Sequence, residues 1–397
     1  MRKFLKKAAA LLLALSFGIC GTACVDTSGE TGNGGDSDMK KIQVGAIRWD
    51  AWYGGEKGVD TDPGYIVEQT LGSSTDYHYR LPFFSTINYD ENGQYTGVSI
   101  RGNSQEVMDQ EINYAVEGGI DYWAFLVYSG EMSYGRTLYK SSTIANKPKF
   151  CYIFDTNFLN SYITGQEEMS LEILQDLGNE YYQKTSDGRP VIYIFDANLD
   201  MISKIEKFSA AAEEMYQKKP YFIGMTFEAG KIQNILTEMN CDAVSSYGFS
   251  ATHGAEYSVL AETDSDNWDN MSYYCEVYGG EYIPTITTGF DKRPRSVSVG
   301  YPTMWEQDDA VGTSSYDQFK DYWTQQGTPE EIAEHLGDGV DYARELDNSL
   351  FASVLVYAWN ENDEGGWLVP TLEEITKYNK PLRLDAIREV LEEKGNI

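Results

Sequence analysis

Histidine is scarce in this chain: three in 397 residues, His78, His253 and His335, each far from the others in sequence. That leaves little material for a histidine-based triad or a metal cluster, since both need imidazoles gathered with carboxylates or thiols. Cysteine is nearly as rare, at five. Cys20 falls in an apolar leader and Cys24 directly after it, so Cys151, Cys241 and Cys275 remain for the folded part. An odd number without metal-ligand spacing argues against a disulfide framework and a zinc site alike. Cys151 and Cys241 lie in or beside strand-like runs, where small buried thiols are common. Positive charge is the third deficit. Lys and Arg number 31 against 62 Asp and Glu, a net of −31. Such a field repels phosphate backbones and anionic lipid, which argues against nucleic acid as a partner and leaves a neutral substrate open. No metal and no cofactor is implied by any motif.

The longest apolar run, Ala8 to Ile19, is too short to span a bilayer and follows the basic residues Arg2, Lys3, Lys6 and Lys7. These are the proportions of a signal peptide. Gly21-Thr22-Ala23-Cys24 comes next and resembles a bacterial lipobox, with Cys24 as the lipidated first residue of the mature chain. Residues 1–23 are read as a lipoprotein signal peptide and residues 24–39, rich in Gly, Ser and Asp, as a flexible tether. Residues 40–397 are read as one catalytic domain. The expected location is the outer face of the bacterial cell membrane or the cell surface, with a lipid anchor as the membrane contact.

In the domain, apolar strand-like runs alternate with helical spacing. The runs begin with Ile42 to Arg48, followed by Ile120 to Val127, Lys149 to Phe154, Pro190 to Phe195 and Tyr221 to Phe227. Cys241 to Ser246, Glu281 to Thr288 and Phe351 to Ala358 complete them. Helical stretches lie between most of these, such as Ser104 to Glu117, Ser170 to Gln183, Met201 to Gln217 and Lys231 to Met239, and Thr328-Pro329 reads as a capped helix start. Gly54 to Asn103 reads as a long loop, with Tyr79 to Ile87 strand-like and a hairpin possible there. Eight such units predict a (β/α)8 barrel. A doubly wound sheet is second, but no Gly-rich phosphate loop follows the first strand.

What ends each strand is more telling. Asp50, Asp155, Asp196, Glu228, Asp291 and Glu361 all stand at or just past predicted carboxyl ends, the face of a barrel where active sites are built. Capping of the following helices is the plain alternative, yet caps are as often Ser, Thr or Asn. Phe351 to Pro370 concentrates the signal: a buried-strand pattern breaks abruptly into an amide, acids and two indoles. Read plainly, Asn362 and Asp363 cap a helix while Glu361 and Glu364 are solvated first-turn acids. Read chemically, two crowded carboxylates separate into an acid and a base, which is what glycosidic cleavage needs. Tyr and Trp, 30 and 8 of the residues, offer flat faces for sugars.

Asn360-Glu361-Asn362-Asp363-Glu364-Gly365 resembles the Asn-Glu-x-x-Glu-Gly motif of glycoside hydrolase family 99 and its wider relatives. Pro284 to Arg295, Gly118 to Phe125 and Gly45 to Tyr53 are similar to other segments of that group, so the resemblance spans Ile42 to about Pro370. It implies a (β/α)8 barrel and endo-acting, retaining, metal-free cleavage of α-mannosides. It further implies Glu361 as the base that draws a proton from the substrate's 2-hydroxyl, and Glu364 as general acid. Family members carry Trp-His where this chain has Asn362-Asp363, a departure that bears on substrate more than on carboxylate chemistry. Sugar contacts are expected from Trp49, Asp50, Trp52, Tyr128, Asp155, Asp196 and Glu228. Tyr247, Asp291, Arg293, Trp359, Asn360 and Trp367 complete that set, although Arg293 and Arg295 can instead pair with rim acids. The expected function is hydrolysis of a neutral oligo- or polysaccharide. A non-catalytic glycan-binding lipoprotein and a glycan-transferring enzyme are the alternatives.

Overall fold

The computed structural model describes residues 39–59, 62–128, 130–164, 167–248, 253–297 and 323–397; Cys24, the signal peptide and all but the last residue of the expected tether lie outside these. The strands, in chain order, begin with β1 (Gln43–Arg48), β2 (Ser85–Tyr89), β3 (Tyr95–Ile100), β4 (Tyr122–Leu126) and β5 (Lys149–Phe154). They continue with β6 (Val191–Ile194), β7 (Tyr221–Met225), β8 (Ala243–Ser245), β9 (Glu281–Tyr282), β10 (Thr285–Thr287) and β11 (Ser353–Tyr357). Nine of them form one sheet in the order β10-β11-β1-β4-β5-β6-β7-β8-β9, with every neighbouring pair parallel.

β9 and β10 are two halves of the strand expected from Glu281 to Thr288. Ile283-Pro284 divides them, because proline has no N–H to give the ladder. The first half pairs with β8 and the second with β11. The Ile283 N–H donates to the Val244 carbonyl and the Pro284 carbonyl accepts from the Leu355 N–H, each at 2.9 Å. The segment thus joins the two ends of the sheet, and the architecture is a closed (β/α)8 barrel.

Helices follow the strands on the outside, among them Gln105–Glu117, Ile202–Tyr216, Tyr257–Tyr278, Pro329–Glu345 and Leu382–Glu393. Pro329–Glu345 starts as its sequence announces: the Thr328 hydroxyl accepts from the Glu331 N–H, and the Glu331 carboxylate accepts from the Thr328 N–H. Inside the barrel two tyrosines and a serine meet through their hydroxyls. The Tyr122 hydroxyl bonds those of Tyr193 (2.8 Å) and Ser353 (2.9 Å). Gly45 makes room for it, since a Cβ there would lie 2.0 Å from the Tyr122 ring. Cys151, Cys241 and Cys275 are buried free thiols.

The Gly54 to Asn103 stretch is more ordered than a loop. It holds a helix, Pro63–Gly72, a 3₁₀ turn, Thr75–Arg80, and the antiparallel hairpin of β2 and β3; of the strand expected from Tyr79 to Ile87, the turn takes the first two residues and β2 the last three. The helix signal was present: the Asp62 carboxylate caps the Tyr65 N–H and Pro63 takes the first position. Among the described residues no helix is long and apolar enough to cross a membrane.

Candidate active site

β11 ends at Tyr357, and the chain turns into a short antiparallel hairpin, β12 (Asn360–Glu361) and β13 (Gly366–Trp367). A hairpin, not a capped helix, therefore carries the acids. It is tied to the end of β1. The Trp359 N–H donates to the Ile47 carbonyl at 2.7 Å, and its indole N–H to Glu111 Oε2 at 2.6 Å. The Asn360 side chain grips both backbone groups of Trp49, accepting at 2.8 Å and donating at 2.5 Å. The Trp52 indole closes the joint on the Asn360 carbonyl at 2.8 Å.

Glu361 and Glu364 stand on this turn with different partners. Glu361, 4% exposed, accepts a 2.6 Å hydrogen bond from the Tyr247 hydroxyl. Burial pushes its pKa well up, and the adjacent charges of Glu364 and Asp363 push further. Glu364 accepts from the Tyr357 hydroxyl at 2.6 Å, forms a salt bridge with Arg295, and has Lys292 Nζ at 3.5 Å. Burial opposes its ionisation, but Arg295 and Lys292 win and hold its pKa at about 2. Arg295 also binds Asp363 through Nε and Nη2, at 2.9 and 2.8 Å. Burial and like charge thus favour a proton on Glu361, while Arg295 and Lys292 favour a charge on Glu364. This is the reverse of the division expected from the resemblance, and the cause is that both nearby cations face Glu364.

The remaining expected contacts divide by accessibility. Tyr128 and Tyr247 are half-buried beside Glu361. Burial first, then the Glu361 charge, raises both phenols, and Tyr128 hydrogen-bonds the Trp49 side chain. Asp155 is half-buried and caps the helix after β5, accepting from the Phe158 N–H at 2.7 Å. Asp196 and Glu228 are exposed and share Lys231, at 3.8 and 2.8 Å. Arg293 bonds Asp291 through Nε and Nη2, at 2.9 and 2.8 Å, and its guanidinium lies 3.6 Å from the Trp323 ring centroid.

Seven others are buried among protein partners. Trp52, Trp359 and Asn360 form the β1 joint, and the Trp49 ring is buried edge-on to Trp52. Trp367 is sandwiched between Arg383, 3.8 Å from its ring centroid, and Arg80 at 5.7 Å. Asp50 is buried against Arg48 Nε at 3.1 Å; burial outweighs that cation, and with the Glu111 charge lifts its pKa to about 6. Asp291 is buried on Arg80; burial opposes its charge, but Arg293 and Arg80 hold its pKa below the ordinary value. These aromatic and acidic residue types suit sugar contact and internal packing equally, so composition alone could not sort them.

Tyr357, Lys292 and Arg80 are site residues the sequence reading missed. Tyr357 sits at the last alternating position of β11, a signal that was there to use. Arg80 is fully buried, donates to the Asp291 and Asn362 carbonyls at 3.1 and 3.4 Å, and comes from the Gly54–Asn103 segment, over 200 residues away. Nothing local marks it. Among the described residues, no three His, Cys, Asp or Glu side chains are grouped to hold a metal ion.

The crowded carboxylates lie on the carboxyl-end face of a closed barrel, the face on which active sites of this fold are built. Among solved structures, the chain is similar to a "glycoside hydrolase-like protein" (TM-score 0.53, 15% identity, 90% of this chain and 95% of that one covered). It is also similar to the family 99 endo-α-mannosidase of Bacteroides thetaiotaomicron, solved with bis-tris propane (TM-score 0.52, 15% identity, 89% and 99% covered) and in a second structure (0.51, 14%, 89% and 97%). The fold is therefore that of the family 99-like barrels. No protein-family model and no curated protein matches the chain.

Proposed function

We propose that this protein is a glycoside hydrolase acting on a neutral glycan. One observation carries the reading: two carboxylates three residues apart on the rim of the barrel, Glu361 buried on the Tyr247 hydroxyl and Glu364 paired with Arg295 with Lys292 nearby, so that burial raises one proton affinity and the cations lower the other. Glycosidic cleavage requires a carboxyl that gives a proton to the departing oxygen and a carboxylate that attacks or accepts one. The charge pattern of the free protein favours Glu361 as proton donor. Glu364, ionised by Arg295 and Lys292, is then the partner that acts on the substrate's 2-hydroxyl or on water. Tyr247 and Tyr357 aim the two carboxyls, and the joint built by Trp52, Trp359 and Asn360 fixes the hairpin that bears them. α-Mannosides are the first substrates to test, because proteins of this fold include endo-α-mannosidases.

The experiment is a screen of the purified protein and its Glu361→Gln and Glu364→Gln variants against mannans, glucans and N-glycans. Hydrolysis of one glycan by the parent, lost in both variants, supports the reading; equal turnover by all three removes it. Product analysis with an added acceptor sugar separates hydrolysis from transfer.

The order of basic residues, apolar run, Gly-Thr-Ala-Cys and Gly-rich segment supports an exported, lipid-anchored chain. Mass spectrometry of the mature N-terminus tests it: a diacylated Cys24 is expected, and cleavage elsewhere with a free thiol ends the idea.

A further inference from the structure

Beyond Tyr247, a cavity of about 160 Å³ opens at the carboxyl ends of β6, β7 and β8. Phe195, Asp196, Met225, Thr226, Phe227 and Tyr247 line it. Its wall is largely aromatic. Phe195 packs edge-on against Tyr247 with centroids 5.0 Å apart, and Phe227, just past β7, keeps 52% of its surface exposed. Its polar edge is the Thr226 hydroxyl and the Asp196 carboxylate, the latter 69% exposed. Asp196 has φ of +44°, a conformation uncommon for a residue with a side chain.

We infer that this cavity is a sugar subsite that takes one neutral pyranose ring, its apolar face stacked on Phe227 and its hydroxyls turned to Asp196. The inference rests on the glycan reading of the site and adds to it where, and on which kind of sugar, the chain holds its substrate. Three features support it. The volume suits one ring: an enclosed cavity of about 150 Å³ admits benzene, and this one opens to solvent beside the exposed Phe227, which leaves room for a pyranose's hydroxyls. The walls fit: an amphipathic sugar needs one flat apolar surface and a hydrogen-bonding edge. The charge fits: Asp196 and Glu228 at this rim outnumber the one cation they share, Lys231, and that negative balance, in a chain of net charge −31, disfavours a uronate or a sulfated sugar. Tyr247 also ties the subsite to the chemistry, because the same side chain lines the cavity and donates to Glu361. A ring held here lies next to the bond to be cleaved.

Saturation-transfer NMR on the purified protein tests this without any cleavage, using methyl α-mannopyranoside, methyl α-glucopyranoside and methyl α-glucuronide as probes. At least one neutral glycoside should bind, and the glucuronide should give no signal. Phe227→Ala should weaken the neutral probe about tenfold, the size expected from losing one aromatic stacking partner. Phe227 is exposed, so the variant should fold as the parent does. Asp196→Asn should admit the glucuronide. Neutral probes that fail to bind the parent, that bind Phe227→Ala equally well, or that bind no better than the glucuronide overturn the subsite. Phe227-dependent binding by a protein that cleaves no glycan keeps the subsite and removes the hydrolase; cleavage indifferent to Phe227, with no Phe227-dependent binding, does the reverse.

Discussion

Two arcs of the barrel rim use the same residue types in opposite ways. On β10, β11 and β1, which are neighbours in the sheet, the strand-ending acids Asp291, Glu361 and Asp50 are 3, 4 and 3% exposed. On β5, β6 and β7, also neighbours, Asp155 is half-buried, while Asp196 and Glu228 are 69 and 66% exposed. For Asp50 and Asp291 the difference is cations, while Glu361 is buried on the Tyr247 hydroxyl. Arg48, Arg80, Lys292, Arg293 and Arg295 all serve the first arc, whereas Lys231 alone forms salt bridges with the exposed acids among the described residues. An ionised carboxylate is buried only with a partner. A chain with half as many basic as acidic residues has few to give, and it concentrates them at one place on the rim. Crowding within that place is what separates Glu361 from Glu364.

The largest effects should fall on the buried arc. Glu361→Gln and Glu364→Gln should each lower turnover on a cleaved glycan by about 10²- to 10⁴-fold, measured as kcat. Aryl glycosides with good leaving groups should rescue Glu361→Gln more than Glu364→Gln, since they need no proton donor. Equal rescue would erase the distinction between the two carboxyls. Next in size is Arg80→Ala, which strips Asp291 of a buried partner. Urea unfolding should show a loss of about 3–5 kcal/mol. A smaller loss would mean that Arg293 suffices.

Much of this contrast was invisible in the sequence for a simple reason. Alternation of apolar runs with helical spacing is local, so eight strands and the position of each acid at a strand end could be read directly. Which acid is buried depends on what crosses the sheet to meet it. Arg80 reaches Asp291 across 211 residues, and Glu111 reaches the Trp359 indole across 248. The carboxylate pair was legible because both members lie in one hexapeptide. Their division of charge was not, because Arg295 and Lys292 come from the segment after β10. Pro284 was in plain view, but that it splits one strand to close the barrel depends on partners on both sides.

Arg295→Met sharpens the comparison further. Without that cation the Glu364 pKa should rise from about 2 towards the ordinary value of about 4.3, and the acid limb of the pH–rate profile should move up with it. The sign for stability follows. A carboxyl depressed in the folded state stabilises above its unfolded pKa, and that contribution is lost as pH falls towards about 2. The variant should lack most of this acid-sensitive component. Unchanged limbs in both curves would show that Arg295 does not set the charge on Glu364.

The exposed arc should respond weakly. Asp155→Ala removes a helix cap and should cost about 1 kcal/mol in thermal unfolding. Asp196→Asn and Glu228→Gln should change stability by no more than about 0.5 kcal/mol. Losses like that of Arg80→Ala at either position would collapse the distinction between the arcs.

That Glu361 holds a proton while Glu364 is charged is tested most directly by ¹³C NMR of the protein labelled at the glutamate carboxyl carbons. The two resonances are assigned by their disappearance in Glu361→Gln and Glu364→Gln. At neutral pH the Glu361 signal should lie at the protonated position, and the Glu364 signal should stay ionised until the pH approaches about 2. Glu361 titrating in the ordinary carboxylate range, with Glu364 keeping its proton to higher pH, would contradict the assignment and return the roles to those the sequence resemblance implies.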